Sequence, residues 1–179
     1  MKREESILFI KEDLAKACIK LLSKKPLNNI TIKEICNVAG YGRTTYYRYF
    51  TNKKEDLLIF IMEKKWRDFK SPHKDLVKDK EGYAILKLMY EYRDFVLLLE
   101  QRGLIMLLYY VIDKEVGEEY RDKEVFSYAR SMFVGLYFGV VKEWIQRGCF
   151  NSPDEIEEKI QEGIQCAIVL SKINQKAQK

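Results

Sequence analysis

The segment from Gly40 to Leu58, GYGRTTYYRYFTNKKEDLL, combines glycines, tyrosine rings and cations, the side chains that suit base edges and a phosphodiester backbone. Arg43 offers a forked set of N–H donors that fits a guanine edge, while Thr44 and Thr45 offer hydroxyls and methyls. Gly42 lets the backbone approach closely. The donors placed to reach phosphate oxygens are Tyr47, Tyr49 and Lys53. Tyrosines at helical spacing also fit ordinary packing, so this prediction depends on the surrounding elements.

Two short helices must position these side chains. In the segment TIKE, Thr31 is placed to cap a helix and Glu34 to reach back, which predicts a capping box and a helix to about Val38. Ala39-Gly40 ends it, because glycine tolerates a left-handed exit. After a turn, residues 42–49 form about two turns of a second helix. The predicted inward positions are Ile35, Cys36 and Tyr46.

Together, the two short helices fit a helix-turn-helix, in which the N-terminal end of the second helix enters the major groove. The distribution of charged residues along the chain fits such a motif. The first 54 residues carry twelve Lys or Arg and five Asp or Glu, a balance of +7, and the remainder carries −2. A basic front end on a near-neutral body indicates contact with a polyanion.

Helical periodicity continues along the chain, and only three prolines and nine glycines interrupt it, so the sequence predicts an all-α fold. We expect a capping box from Asn52 to Glu55 and a charged loop, HKDLVKDKEG, after Pro72. A third capping box joins Ser152 to Glu155. The other predicted helices span residues 6–22, 53–70, 83–101, 104–112, 120–146 and 153–173.

TIKEICNVAGYGRTTYYRYFTNKKEDLL resembles the N-terminal signature of the TetR family of bacterial transcriptional regulators over residues 6–60. The matching residues are Ala39-Gly40, Thr45-Tyr46-Tyr47, Tyr49-Phe50 and Lys53. The resemblance implies that Thr31, Tyr47, Tyr49 and Lys53 contact phosphates, with Lys33, Arg43 and Thr44 placed for bases or backbone. Tyr41 and Gly42 depart from the pattern, which often has valine and a capping residue there. We therefore expect a weakly capped recognition helix.

The resemblance further implies a helix-turn-helix DNA-binding domain over residues 1–53 and a helical regulatory and dimerisation domain over residues 54–179. The run MFVGLYFGVV has no charge on any face, so one subunit cannot cover it and a homodimer is expected. A pocket within one subunit is the alternative for its two glycines. The predicted interface residues are Gly135, Phe138, Gly139, Lys142, Ile160, Ile164, Ala167 and Ile168.

By the same resemblance, the second domain binds an unidentified small effector. The residues predicted to line its pocket are Met89, Tyr90, Met106, Tyr109, Tyr110, Phe126, Met132, Phe133 and Tyr137. Such a stripe also fits ordinary core, and it carries no charge that would identify the ligand. Since the two states of a regulator differ in effector affinity, binding would change the spacing of the recognition helices.

Other classes of function have weaker support in the sequence. The one histidine, His73, lies in a charged segment without a nucleophile or metal cluster, so we expect neither an enzyme nor a bound cofactor or metal. Four separated cysteines and apolar runs of ten residues indicate a cytoplasmic protein that does not insert into a membrane. The sequence predicts a ligand-responsive repressor that binds a palindromic operator as a dimer. The alternatives are a co-activator acting through a partner protein, a thiol-based redox sensor and a non-specific architectural DNA binder.

Overall fold

The computed structural model describes the backbone of residues 3–51, 53–115 and 124–177, with the side chains of 125 and 166–177 outside the described part. The described residues form ten α-helices, one short 3-10 helix and no β-strand, which confirms the all-α prediction. None of these helices is long and apolar enough to cross a bilayer.

The N-terminal helices form a compact unit around α1. Helix α1 spans Arg3–Leu22 and starts three residues earlier than predicted, with Glu4 and Glu5 in its first turn, where carboxylates favour the helix dipole. A 3-10 helix covers Leu27–Asn29, α2 covers Ile32–Ala39 and α3 covers Arg43–Tyr49. Helix α1 packs against α2, and α2 packs against α3.

Helix α4 (Glu55–Lys70) connects this unit with the rest of the chain, packing against α1 and against α8 (Met106–Glu115). Asn52, the predicted cap of this helix, lies outside the described residues. Glu55 is the first helical residue rather than the third, and the N-cap residue Lys54 makes no side-chain capping hydrogen bond. Instead, the Thr51 hydroxyl accepts a hydrogen bond from the Lys53 backbone N–H at 3.2 Å and donates one to the Asp56 carboxylate.

The charged segment after Pro72 is helical for most of its length, which corrects the predicted loop. Helix α5 spans Lys74–Asp79 and has no buried residue, but it packs against α6 (Glu81–Glu91). His73 precedes α5 and stacks on Phe69, with ring centroids 4.3 Å apart. Leu76 and Val77 of α5 are partly buried against the core, and together with the His73 contact they hold this charged segment in place.

The predicted single helix over residues 83–101 is two helices, α6 and α7 (Arg93–Gln101), which meet at Tyr92. No sign of this break is visible in the sequence, because residues 83–101 carry apolar side chains on nearly every side of a single helix. In the structure the two halves bury different faces, because α6 packs against α10 (Pro153–Ala177) and α7 packs against α9 (Glu124–Gln146). At Gly82 on α6, any side chain would overlap the Tyr137 ring of α9.

Helices α8 to α10 complete the C-terminal part, and α9 lies against both α7 and α8. Helix α8 lies two to three residues later than predicted. The predicted start of α9 near Tyr120 lies outside the described residues. The capping box of α10 is confirmed: the Ser152 backbone N–H donates to Glu155 at 2.7 Å, the Glu155 backbone N–H donates to the Ser152 hydroxyl at 3.3 Å, and Pro153 is the first helical residue.

Candidate functional site

The turn between α2 and α3 is built as the sequence predicts. The Thr31 hydroxyl accepts the Glu34 backbone N–H at 3.2 Å, and the Glu34 carboxylate accepts the Thr31 backbone N–H at 2.9 Å, which completes the capping box. Gly40 ends α2 with φ of 77°, a left-handed conformation that a residue with a Cβ adopts only at a cost. The chain then enters α3 at Gly42, whose φ of −78° and ψ of 155° are extended.

One face of α3 anchors the helix and the other is free. Tyr46 is fully buried beside Ile35 and Cys36 of α2, as predicted. Burial raises the pKa of the Tyr46 hydroxyl, with smaller contributions from nearby anionic groups. Gly42, Arg43, Thr44 and Tyr47 are exposed, whereas Thr45 and Tyr49 are half-buried. The ring of Tyr47 meets that of Tyr46 edge-on at 5.5 Å, so it stands at the margin of the packed face.

The two departures from the family pattern have different consequences. Gly42 provides no side-chain hydrogen bond to the first turn of α3, so the N-terminal N–H groups of this helix lack a side-chain cap. Tyr41, by contrast, adds a contact: its hydroxyl donates to the Asp13 carboxylate of α1 at 3.0 Å. Burial and this carboxylate raise the pKa of Tyr41. The turn is therefore attached to α1, a contact for which the sequence gave no signal.

Two lysines, Lys25 and Lys54, hold the N-terminal helices together through polar contacts. Lys54 Nζ donates to the backbone carbonyls of Leu27 and Ile30, at 2.6 and 2.7 Å, and so joins the start of α4 to the segment before α2. Lys25 Nζ lies 2.6 Å from Glu34. The Lys25 ammonium, together with the Thr31 hydrogen bonds, lowers the pKa of Glu34 from 4.5 to about 2. Glu34 therefore stays ionised at pH values below 4.5 at which an ordinary glutamate is protonated, and it fixes the start of α2.

The predicted DNA-contact residues are all accessible, at least in part. Thr31, Lys33 and Lys53 are exposed, as are Gly42, Arg43, Thr44 and Tyr47. Thr31 already uses its hydroxyl in the capping box, donating to Glu34 at 2.9 Å, so its role includes holding α2. The arrangement presents a guanidinium, hydroxyls and ammonium groups on a rigid frame, which is the donor set that phosphate oxygens and base edges accept.

An apolar cavity lies in the C-terminal part, between α4, α6, α7 and α8. Its empty space is about 540 Å³ when counted out to the open mouth, but only about 40 Å³ of it is wide enough for a water-sized sphere. Two side chains bearing a charge lie in its wall, Lys65 and Glu115. The remaining lining residues are Met62, Trp66, Ile85, Leu88, Met89, Tyr92, Phe95, Val96, Leu99, Leu108, Val111 and Ile112.

Of the predicted pocket residues, Met89 alone lines this cavity. Four others are exposed on the described surface: Met106, Tyr110, Phe126 and Met132. The remaining rings pack elsewhere, with Tyr90 stacked on Trp144, Tyr109 edge-on to Phe138, and Phe133 against Tyr137. The sequence prediction selected aromatic and methionine side chains, but half of the lining residues are Ile, Leu or Val, and the wall includes α4, which the prediction had not considered.

A wide apolar groove separates α9 from α10. It is lined by four predicted interface residues, Gly135, Gly139, Ile160 and Ile164, and by others including Leu136, Val140 and Gly163. Phe138 contacts Tyr109 of α8 instead and lies inside the subunit, because it is turned about 100° from Gly139 around the helix. Lys142 is half-buried and does not line the groove. The side chains of Ala167 and Ile168 lie outside the described residues.

The described residues contain no group of three or more potential metal ligands. Cys18, Cys36 and Cys149 are free and buried, and burial raises the pKa of each thiol, that of Cys18 to about 12. A buried thiol with a raised pKa holds little of the reactive thiolate. Cys166 lies outside the described side chains.

The helix-turn-helix described above coincides with a family match. Residues 12–59 match the family model described as bacterial regulatory proteins, tetR family. No curated protein matches the chain. The matched span runs from the middle of α1 into the first turns of α4, so it contains the capping box, the left-handed glycine and the whole of α3. Residues 12–59 are therefore a DNA-binding domain of the TetR family.

Proposed function

We propose that the protein is a repressor that binds a near-palindromic operator as a homodimer and responds to a small effector. The observation that carries the proposal is the free N-terminal end of α3, where Arg43 and Thr44 are exposed while Tyr46, one turn on, is fully buried. A helix fixed by its inner face and free at its N-terminal end is suited to base readout in the major groove.

The exposed surface of α9 supports the homodimer. Tyr128, Met132 and Leu136 follow one another at intervals of four residues, so they share a face of the helix, and they are 69%, 77% and 48% exposed. A Cβ added at Gly135 or Gly139 would meet no atom within 4 Å. A row of exposed large apolar side chains indicates a surface that a partner covers. The same helix of a second subunit is the simplest partner.

Such a dimer would hold its two α3 helices about 34 to 36 Å apart, one turn of DNA, and would therefore require an operator with two matching half-sites. The apolar cavity beside α4 supports the effector. Since α4 packs both on α1 and on α8, a ligand that moves the cavity wall acts on a helix that also belongs to the DNA-binding unit.

The experiment is a selection of genomic fragments with the purified protein at near-physiological salt, followed by titration of the best fragment. We expect a near-palindromic site. Arg43→Ala should weaken binding by about 1 to 3 kcal/mol and relax the preference at one base position in each half-site, because it removes a base contact.

Lys53→Ala is the matched control, because it removes a positive charge from the same surface without removing a base contact. It should weaken binding to all sequences about equally and reduce the salt dependence by about one ion per half-site. Enrichment of no sequence, or an Arg43→Ala variant with unchanged preference, would refute specific readout by α3. The architectural or co-activator function would then take its place.

The thiol-sensing alternative has less support. The pKa values of Cys18, Cys36 and Cys149 are raised by burial, which disfavours oxidation. DNA release by peroxide that persists in Cys149→Ser and Cys166→Ser variants would exclude those two residues as sensors.

A further inference from the structure

Helix α3 is packed against the core mainly through its second half. Tyr46 and the C-cap residue Phe50 are buried, whereas the first half of the helix, which carries Arg43 and Thr44, contains no buried side chain. A helix of seven residues is too short to be stable by itself, so its position depends on contacts with the rest of the fold. The N-terminal half, which enters the major groove in a helix-turn-helix, therefore needs a restraint of its own.

A side-chain cap does not provide this restraint. The backbone N–H groups of Thr45 and Tyr46 donate to the Gly42 carbonyl, at 3.0 and 3.4 Å, so the helix begins at a residue without a side chain. Gly42 has an extended backbone, and a Cβ added there would meet no atom within 4 Å. A serine would therefore fit at this position and could cap the first turn of α3, but the chain has none there.

Tyr41, the residue before Gly42, contacts two other helices. Its backbone N–H donates to the Cys36 carbonyl of α2 at 2.9 Å, and its hydroxyl donates to the Asp13 carboxylate of α1 at 3.0 Å. The Tyr41 side chain is half-buried and packs against the core. A hydrogen bond to a charged acceptor is stronger than one between neutral groups. The start of α3 is therefore held through the residue that precedes it.

Asp13 lies on a well-anchored helix. The adjacent residue of α1, Glu12, pairs with Lys64 of α4 at 3.2 Å, and α1 packs against both α2 and α4. Asp13 itself forms no ion pair among the described residues, so no cation competes with the Tyr41 hydroxyl for its carboxylate. The contact with Asp13 therefore fixes the start of α3 relative to α1 as well as to α2.

We propose that Tyr41 is a positioning residue for DNA recognition: its hydrogen bond to Asp13 replaces the missing side-chain cap and fixes the N-terminal half of α3 against α1. This inference rests on the proposed function, since it assumes that this half of α3 reads DNA. Without the bond, the buried second half of α3 stays packed, but Arg43 and Thr44 occupy a wider range of positions. Binding to base edges then weakens, because part of the binding free energy is used to order the helix.

The Tyr41→Phe variant of the full-length protein removes the hydroxyl and keeps the ring. We expect it to bind the best genomic fragment about three-fold to ten-fold more weakly than wild type, because the hydrogen bond to Asp13 is lost. We also expect faster backbone hydrogen exchange in peptides that span α3, measured by mass spectrometry without DNA. Tyr83→Phe is the matched control, because it removes the 2.7 Å hydrogen bond from a tyrosine to Asp154 in the C-terminal part. It should lower the melting temperature to a similar extent and change neither α3 exchange nor DNA binding.

Two further backgrounds separate positioning from a general loss of stability. In an Asp13→Ala background, Tyr41→Phe should have no further effect on DNA binding, because the bond is already absent. In a Gly42→Ser background, where the serine caps α3, Tyr41→Phe should weaken DNA binding by less than about two-fold. Comparing Tyr41→Phe with its parent in each background cancels any direct effect of the alanine or the serine on DNA.

Unchanged DNA binding or unchanged α3 exchange in Tyr41→Phe would overturn the proposal. So would an equal loss of DNA binding in Tyr83→Phe, a further loss in the Asp13→Ala background, or a full loss in the Gly42→Ser background. The Arg43→Ala titration is a separate measurement. Faster α3 exchange in Tyr41→Phe, with the base preference unchanged in Arg43→Ala, would refute the proposed function alone. A base preference that depends on Arg43, with DNA binding unchanged in Tyr41→Phe, would refute this inference alone.

Discussion

At the scale of single residues, Glu34 shows how one carboxylate supports a DNA-binding surface. It pairs with Lys25 and accepts from Thr31, and these contacts hold its pKa at about 2 instead of 4.5. A carboxylate whose pKa is lowered on folding stabilises the folded protein above its unfolded pKa. That contribution is lost as the pH falls toward the folded pKa. The frame of α2 should therefore weaken below pH 4.5 and lose this support near pH 2.

The Glu34→Gln variant tests whether the charge of Glu34 stabilises the folded protein in this pH range. The amide keeps an oxygen that can accept the Thr31 N–H, but it has no charge to titrate. We expect a lower melting temperature than wild type at neutral pH and a shallower loss between pH 4.5 and about 2. Thermal unfolding followed by circular dichroism over this range is the measurement. Glu158→Gln on the exposed side of α10 is the control, and a variant that parallels wild type through the whole range contradicts the expectation.

Residue-level predictions succeeded where the signal was local. The pairs Thr31 with Glu34 and Ser152 with Glu155 were readable because a capping box depends on residues three apart. The contacts of Lys54 with the Leu27 and Ile30 carbonyls were not readable, since they join backbone atoms more than 20 residues away in sequence. For the same reason, the sequence could not identify Lys65 as a cavity residue.

At the scale of elements, α7 is attached to the end of α1 by one arginine. Arg102 donates through Nε to the Leu22 carbonyl at 2.8 Å and through Nη2 to the Ser23 carbonyl at 3.0 Å. The last carbonyls of a helix have no partner within the helix, so a residue of the C-terminal part completes the end of α1. On the other side, Gln146 of α9 donates to Glu100 of α7 at 3.1 Å.

We expect Arg102→Met to lower the free energy of unfolding by about 1 to 3 kcal/mol, because two hydrogen bonds from a charged group are lost. Urea denaturation monitored by circular dichroism measures it. Arg67→Met is the matched control. The Arg67 guanidinium lies 4.0 Å from Glu63 on the same helix and is 50% exposed, so its loss should cost about 0.5 kcal/mol or less. Equal small losses in the two variants would mean that Arg102 does not hold α1 in solution.

The helix boundaries show where periodicity stops being informative. The amphipathic pattern of α1 and the capped start of α10 were predicted to within a few residues, because each has one apolar stripe or one clear cap. The break at Tyr92 was not predictable, since residues 83–101 are apolar on nearly every side and either one helix or two satisfies that pattern. Tertiary packing on α9 and α10 decides between them.

At the scale of the whole molecule, a substitution in the groove between α9 and α10 tests the proposal that the protein forms a homodimer through this surface. Gly135→Glu places a charge in this groove, and an added Cβ meets nothing within 4 Å, so a single subunit has room for it. We expect folded monomers by sedimentation velocity, because burying an unpaired carboxylate against a partner is costly. Gln101→Glu, on the exposed end of α7, should leave the dimer intact. A stable dimer of Gly135→Glu would place the interface elsewhere.

Helix α4 has a further consequence for how this architecture can be recombined. Its first turns bury Leu57 and Leu58 completely, and its later turns carry Met62, Lys65 and Trp66 into the cavity wall. A domain boundary placed between residues 53 and 54 would remove Leu57 and Leu58 from the core of the N-terminal DNA-binding unit. A chimera that joins this N-terminal unit to another C-terminal domain must therefore keep the N-terminal half of α4 with the N-terminal unit. The C-terminal half of α4 must be redesigned to pack against the new domain. If the cavity binds the proposed effector, substitutions along the second half of α4 are expected to change the ligand preference while the N-terminal unit keeps its core.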